Sequence, residues 1–428
     1  MSNKDMEIQA SAQTDDKVTG KPGFSFDFAW AISLFGTAVG AGILFLPINA
    51  GAHGLWPLLV VTILIGPMTY LSHRGLSHFV CESPKKGEDI TKVAVDYFGG
   101  GAGKFITILY FLAIYPIVLI YAVSITNTVD SLIVNQLGGP HIPRALLSFI
   151  LLALMMAVMI KGQRLMLIVT QALVYPLIIA LFVISIYLIP HWQHMTLGPV
   201  PAVGDFLKYV WIIIPVLIFA FNHSPAISQF SLSMQRTYGD KAGAAASRSL
   251  VYTAIMLVAF TMFFVWSCVF TLGASGLAEA RAQNLPILSY LANVFSQPGI
   301  SYAGPLIAIT AIVSSFFGHY MGTEEGAVGI VRELSPSFYD KNGEKKIKAF
   351  VAGFIFITGW IVAIINPSIL SLIETLSGPV IAAILYLMPM YAIYKIPALQ
   401  RFRGRPTNIF VIIMGLVAIA ALFYNMVA

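Results

Sequence analysis

Three sets of residues inside otherwise apolar stretches could do chemistry. The first is the run Gly36-Thr37-Ala38-Val39-Gly40-Ala41-Gly42, with Pro47 shortly after it. Glycine weakens a helix, and a helix in lipid has no water to satisfy loosened backbone groups. The second is Phe219-Ala220-Phe221-Asn222-His223-Ser224-Pro225. Proline removes a backbone donor, and three adjacent polar side chains in an apolar layer are costly unless they face a cavity. The third set is titratable: His223, whose imidazole suits proton transfer near neutral pH, Glu374, and the pair Glu324-Glu325 near a span end. An opened helix exposes N–H groups that suit a carboxylate and carbonyls that suit an ammonium or a small cation. An α-amino acid carries both charged groups on one carbon. Taken alone, Gly36 and Gly40 also fit a small-xxx-small packing motif, and Asn-His-Ser-Pro also fits a simple kink. Their joint occurrence points to a binding site.

The elements that hold these runs follow from composition. The 428 residues are 58% hydrophobic and 10% charged, against about 25% charged in soluble domains. Apolar runs are continuous rather than alternating, which indicates an all-α integral membrane protein and disfavours a β-barrel. Eleven spans are expected, near 27–48, 54–73, 104–130, 144–161, 165–190, 207–233, 248–273, 301–331, 348–366, 368–395 and 407–427. Residues 1–25 read as a disordered cytoplasmic tail without signal-peptide character, and 26–428 as the transmembrane domain. Cys81 and Cys268 imply no disulfide framework.

Loops sharing a side with the N-terminus carry 22 of the 25 lysines and arginines, leaving Arg144, Lys208 and Arg281 opposite. The positive-inside rule then predicts a cytoplasmic N-terminus. It also accounts for the net charge of +6 without a nucleic-acid partner. The two interrupted spans, first and sixth, head two five-span sets (27–190 and 207–395), with 407–427 as an extra helix. Breaks in matching positions of two halves point to a transporter site at a repeat interface.

GTAVGAGILFLPINAG (36–51), AIYPIVLIYAVSITNTV (113–129), FAFNHSPAIS (219–228), ILSYLANVF (287–295), FFGHYMG (316–322) and LMPMYAI (387–393) resemble the hydroxy/aromatic amino acid permeases of bacteria, in their serine and threonine permease branch. The resemblance runs from about Trp30 to the C-terminus. It implies the amino acid–polyamine–organocation superfamily and a leucine-transporter-like 5+5 inverted repeat plus one helix, in the bacterial inner membrane. It further implies cation-coupled import of a small hydroxy amino acid, L-serine or L-threonine, or of another neutral or aromatic amino acid. Carried over to this chain, Thr37, Ala38, Gly40, Ala41 and Gly42 would face the substrate from span one. Phe219, Asn222, His223 and Ser224 would face it from span six, with Tyr115 or Tyr121 supplying a hydroxyl from span three.

Sodium-coupled proteins of that fold hold an ion between span-one carbonyls and a span-eight carbonyl followed by two hydroxyls. The matching atoms here are the Gly36, Val39 and Ala311 carbonyls and the Ser314 and Ser315 hydroxyls, giving Na+ as a candidate coupling ion. Permeases of the serine and threonine branch carry lysine where this chain has Ser314, which puts simple proton coupling in doubt. The proton alternatives are His223, Glu374 and Glu324, with Glu325 beside it. No other cofactor and no obligate protein partner is expected. An ion channel would need a continuous polar face or repeated filter, a membrane enzyme a pattern such as HExxH around His319, and a primary pump a GxxxxGK[ST] loop. The sequence has none of these.

Overall fold

The computed structural model describes residues 21–427 apart from 161, 162, 197 and 296. The expected tail therefore lies outside the described residues as far as position 20. The helices, in order, are α1 (Phe24–Ala38), α2 (Ala41–Gly51), α3 (Leu55–Cys81), α4 (Ile90–Ser131), α5 (Arg144–Ile160), α6 (Gln163–Tyr187), α7 (Val203–Ala220), α8 (Ser224–Tyr238) and α9 (Ala242–Met256). There follow α10 (Met262–Ala282), α11 (Ile287–Val294), α12 (Pro298–Leu334), α13 (Pro336–Ile365), α14 (Ile369–Leu372), α15 (Gly378–Ala382), α16 (Met388–Lys395) and α17 (Pro406–Val427). Among the described residues, eight helical stretches are long and apolar enough to cross a membrane, and the α1–α2 pair, bent by 60°, makes a ninth. Two shorter apolar helices, Arg144–Met159 and Pro406–Ala421, fall on the fourth and eleventh expected spans.

Outward faces carry exposed Leu154, Ile179, Phe182, Ile361 and Ile413, as lipid-facing helices require. Inward, α12 packs along α4 more extensively than any other pair of helices. Glycine makes that closeness possible, since a Cβ at Gly326 would come within 3.2 Å of the Phe111 backbone.

Several helices were not anticipated. α4 begins at Ile90, capped by Asp89, and turns at Gly99 (φ 78°) before the apolar run starts. The expected loop between spans seven and eight contains the end of α10, beyond Gly273 (φ 61°), and all of α11. α11 forms because Ile287, Leu288, Tyr290 and Leu291 can be buried together. The division at Asn366-Pro367 is a helix end: Asn366 is left-handed (φ 54°), and Ser368 caps α14.

Ion pairs show which loops share an end of the bundle. Asp27 pairs with Arg248, Glu82 with Arg401, and Asp89 with Arg332. These contacts bring the start of α1 and the loops around Glu82–Asp89, Arg248, Arg332 and Arg401 to one basic end. At the opposite end, the Asn127 amide reaches the Asn284 carbonyl at 3.0 Å and Asn366 at 3.2 Å.

Candidate functional site

The first break is two residues long. Val39 is extended (φ −76°, ψ 91°) and Gly40 lies at φ −147°, ψ −148°, after which α2 begins. Gly40 is required for space rather than for its torsions. A Cβ there would lie 2.5 Å from the Ser315 Cβ and Oγ and 2.9 Å from the Tyr121 hydroxyl. Gly42 performs the same service toward the second break, where a Cβ would meet the Ala220 Cα and Phe219 Cδ1 at 2.7 Å. Gly36 instead faces α6, 2.2 Å from Val174 Cγ2 on the same measure, so its missing side chain serves helix packing.

The second break runs from the end of α7 at Ala220 to the start of α8 at Ser224. Asn222, His223 and Ser224 are each 1% exposed. The Asn222 Oδ1 accepts the Ser224 amide at 3.1 Å, which starts α8, and Pro225 sits in its first turn where a missing N–H costs nothing. Two polar atoms remain buried and unpartnered there, Asn222 Nδ2 and His223 Nε2. Leaving such atoms unsatisfied costs about 1–3 kcal/mol each. One is a donor. The other, because His223 Nδ1 donates to the Phe221 carbonyl at 3.1 Å, is an acceptor.

A chain of hydroxyls joins the first break to the bundle. Ser315 donates to the Thr37 carbonyl at 2.6 Å, and the Tyr121 and Ser315 hydroxyls are 2.7 Å apart. His319 bonds the Ser315 carbonyl at 2.9 Å, with its ring edge-on to Tyr121. Ser314 turns back to the Ala311 carbonyl at 3.1 Å. Thus Thr37, Gly40, Tyr121 and Ser315 are brought together, and Gly42 meets Phe219. Ala38 and Ala41 flank the first break and are buried. Tyr115 is placed elsewhere, half-buried and stacked on Phe111 and Phe354 toward α13.

The proton candidates are dispersed. Glu374 accepts from the Asn49 amide at 2.8 Å and pairs with Arg281 at 3.0 Å, tying α2 to the segment after α14 and to α10. Glu324 pairs with Lys348 at 3.5 Å. Glu325 accepts from Gln229 at 3.1 Å, and its other oxygen is unpartnered. Both glutamates line a cavity of about 930 Å³ that reaches from Pro225, beside the second break, to Lys345 and Lys348 at the basic end. His73 was missed by the sequence reading. Its ring lies against His223, and the i, i+4 pairing of Thr69 with His73 on one helix face was the only signal available. Among the described residues no cluster of three or more His, Cys, Asp or Glu side chains has metal-binding geometry.

The tryptophan/tyrosine permease family matches residues 28–427. The serine transporter SdaC of Escherichia coli (strain K12) is 48% identical over 406 residues, covering 94% of this chain and 95% of that protein. The threonine/serine transporter TdcC of Yersinia enterocolitica is 42% identical over 423 residues, covering 94% and 96%. Among solved structures, MhsT in complex with L-phenylalanine superposes with a TM-score of 0.57 at 13% identity, covering 95% of this chain and 99% of that one. A mutant manganese transporter from Eremococcus coleocola also gives 0.57, at 14% identity, covering 95% and 89%. The fold is that of these transporters.

Proposed function

This chain belongs to the tryptophan/tyrosine permease family, and from that premise we propose that it imports a small hydroxy amino acid, L-serine first and L-threonine second, by cation symport with alternating access. Amino acid transport, rather than catalysis, is the role its serine and threonine transporter relatives support. The observation that carries the reading is the contact of the two breaks at Gly42 and Ala220, with Asn222 Nδ2 and His223 Nε2 buried and unpartnered beside it. An α-carboxylate would take the first amides of α2 together with the Asn222 amide group. The ammonium would take free carbonyls and the His223 acceptor.

In this reading the N-terminus and the basic end lie in the cytoplasm of a bacterium, in accord with the distribution of lysine and arginine. The 930 Å³ cavity is then the inner vestibule. As co-transported ion, Na+ fits the chemistry of the oxygens gathered at Thr37, Ala311, Ser314 and Ser315, with the Gly36 and Val39 carbonyls completing the set. A proton is the second reading, favoured by the unpartnered Glu325 oxygen on the vestibule wall. Of the proton carriers His223, Glu374 and Glu324 expected from the sequence, Glu374 and Glu324 already pair with Arg281 and Lys348.

Uptake of labelled L-serine into proteoliposomes tests this, with separate sodium and pH gradients and competition by all twenty amino acids. L-Serine uptake driven by an inward sodium gradient is expected. Uptake of aromatic amino acids only would overturn the substrate. Uptake driven by a pH gradient alone, equal with and without sodium, would overturn sodium coupling.

A further inference from the structure

His73 stands in α3, and nothing in the site as described requires it. Its ring lies face to face with that of His223, with centroids 3.5 Å apart and planes 9° apart. The His223 backbone N–H donates to His73 Nε2 at 3.1 Å. A backbone amide can only donate, so that nitrogen is bare and the His73 proton is on Nδ1, which donates to the Thr69 carbonyl at 2.8 Å. Both rings are therefore neutral, with the same nitrogen protonated, and the bare Nε2 of His223 is the acceptor left open at the break.

Several charged and titratable groups on the elements packed around the pair are held by other partners. Arg248 of α9 is bound to Asp27 of α1, Glu325 of α12 accepts from Gln229 of α8, and Tyr121 of α4 is bound to Ser315. Tyr386, in the turn following α15, interacts with Ser72. Among the described residues no charged side chain hydrogen-bonds to either ring, and the ring stacked on His223 is that of His73.

We propose that His73 is a positioning residue for the second break: its bare Nε2 holds the His223 amide, and its stacked ring fixes the plane of the His223 imidazole and so the direction of the acceptor left open there. A charge on either ring would have no counter-ion in this dry stack, so the pair acts in its neutral form. This rests on the reading of the breaks as the substrate site, and it holds whichever ion drives uptake.

The experiment compares wild type with H73Q and H73F at pH 7 and saturating sodium. Glutamine keeps an oxygen that accepts the His223 amide. Phenylalanine keeps the ring stack and loses the acceptor. H73Q should keep a KM for L-serine within about threefold of wild type, whereas H73F should raise it about tenfold with little change in maximal rate. Hydrogen exchange of the peptide spanning 221–224, measured without substrate, should be faster in H73F than in wild type and H73Q. An H73F of wild-type affinity and exchange, or an H73Q as impaired as H73F, overturns the proposal. Exchange that follows this pattern in a protein that takes up no serine overturns the substrate reading alone. Melting temperatures identify any variant that has simply misfolded, and H73Q then carries the test.

Discussion

Replacing Gly40 with alanine adds one methyl group at the point where the first break touches α12 and α4. The added Cβ would lie 2.5 Å from the Ser315 Cβ and Oγ and 2.9 Å from the Tyr121 hydroxyl. The Ser315 Cβ is anchored directly to its backbone, so a rotamer change cannot clear it. Reaching an ordinary contact of 3.4 Å needs a backbone displacement of about 1 Å, and overpacking of this kind costs about 1–3 kcal/mol. The displacement also stretches the Ser315 bond to the Thr37 carbonyl, adding about 1 kcal/mol. The sum, about 2–4 kcal/mol, corresponds to roughly 30- to 700-fold if it falls on the substrate-binding geometry. The assay is L-serine uptake in proteoliposomes, with the amount of folded protein read by size-exclusion profile and melting temperature. G66A is the control, because its Cβ would meet only Val258 at 3.7 Å and should leave uptake unchanged. G40L, with a larger side chain, should abolish uptake while the protein remains in the membrane. Wild-type uptake by G40A, or an equal loss in G66A, would refute the argument from space.

Ser315→Ala removes the hydroxyl shared by Thr37 and Tyr121; the sodium concentration for half-maximal uptake should rise about tenfold, more than the KM for serine does, and Ser314→Ala should act in the same direction. Asn222→Asp keeps the oxygen that caps α8 but loses the unpartnered amide donor, so the KM for serine should rise about tenfold with little change in melting temperature; unchanged affinity would remove Asn222 from the carboxylate site. At the basic end, burial raises the Glu82 carboxyl, but His78 and the Arg401 guanidinium beside it more than offset this and hold it below the ordinary glutamate range. A depressed carboxyl contributes stability above its unfolded value of about 4.3 and loses it as the pH falls further. Arg401→Gln should therefore lower stability slightly at pH 7, by no more than about 1 kcal/mol since Arg401 is exposed, and be read as a small drop in melting temperature. A gap between the two melting curves that persists well below pH 4 would refute that account.

The positions of both breaks were legible because the sequence departs there from what a lipid-embedded helix tolerates. Gly40 and Gly42 leave space, and Asn222-His223-Ser224-Pro225 combines a missing donor with polar side chains. Which side chains meet at the breaks was less accessible, since it depends on how each helix is rotated about its axis. Tyr115 and Tyr121 share one apolar run, yet only Tyr121 turns toward Ser315, while Tyr115 stacks outward on Phe354. Glu374 was legible as an intramembrane carboxylate, but its partner Arg281 lies in a connection that the apolar pattern treated as loop. His73 sits at the end of its expected span, where a polar residue invites no comment, and its meaning comes from a ring more than a hundred residues away in the chain.

The contacts also constrain how driving ion and substrate can cooperate. Thr37 on α1 is held to Ser315 on α12, while Gly42 on α2 lies against Ala220 at the end of α7. α8 is in turn held to α12 through Gln229 and Glu325, and by the approach of Gly322 to Pro225. A motion that opens the breaks relative to α4 and α12 must therefore disturb the hydroxyl chain and the contact of Gly42 with Ala220 together. Moving a two-state population from 1:99 to 99:1 needs about 5.5 kcal/mol of differential affinity. A single hydroxyl contact supplies about 1 kcal/mol, so no one residue of this set can drive the transition. On the proposed reading, several such contacts, shared between an ion at Ser314 and Ser315 and an amino acid at the start of α2, would have to act together to reach it.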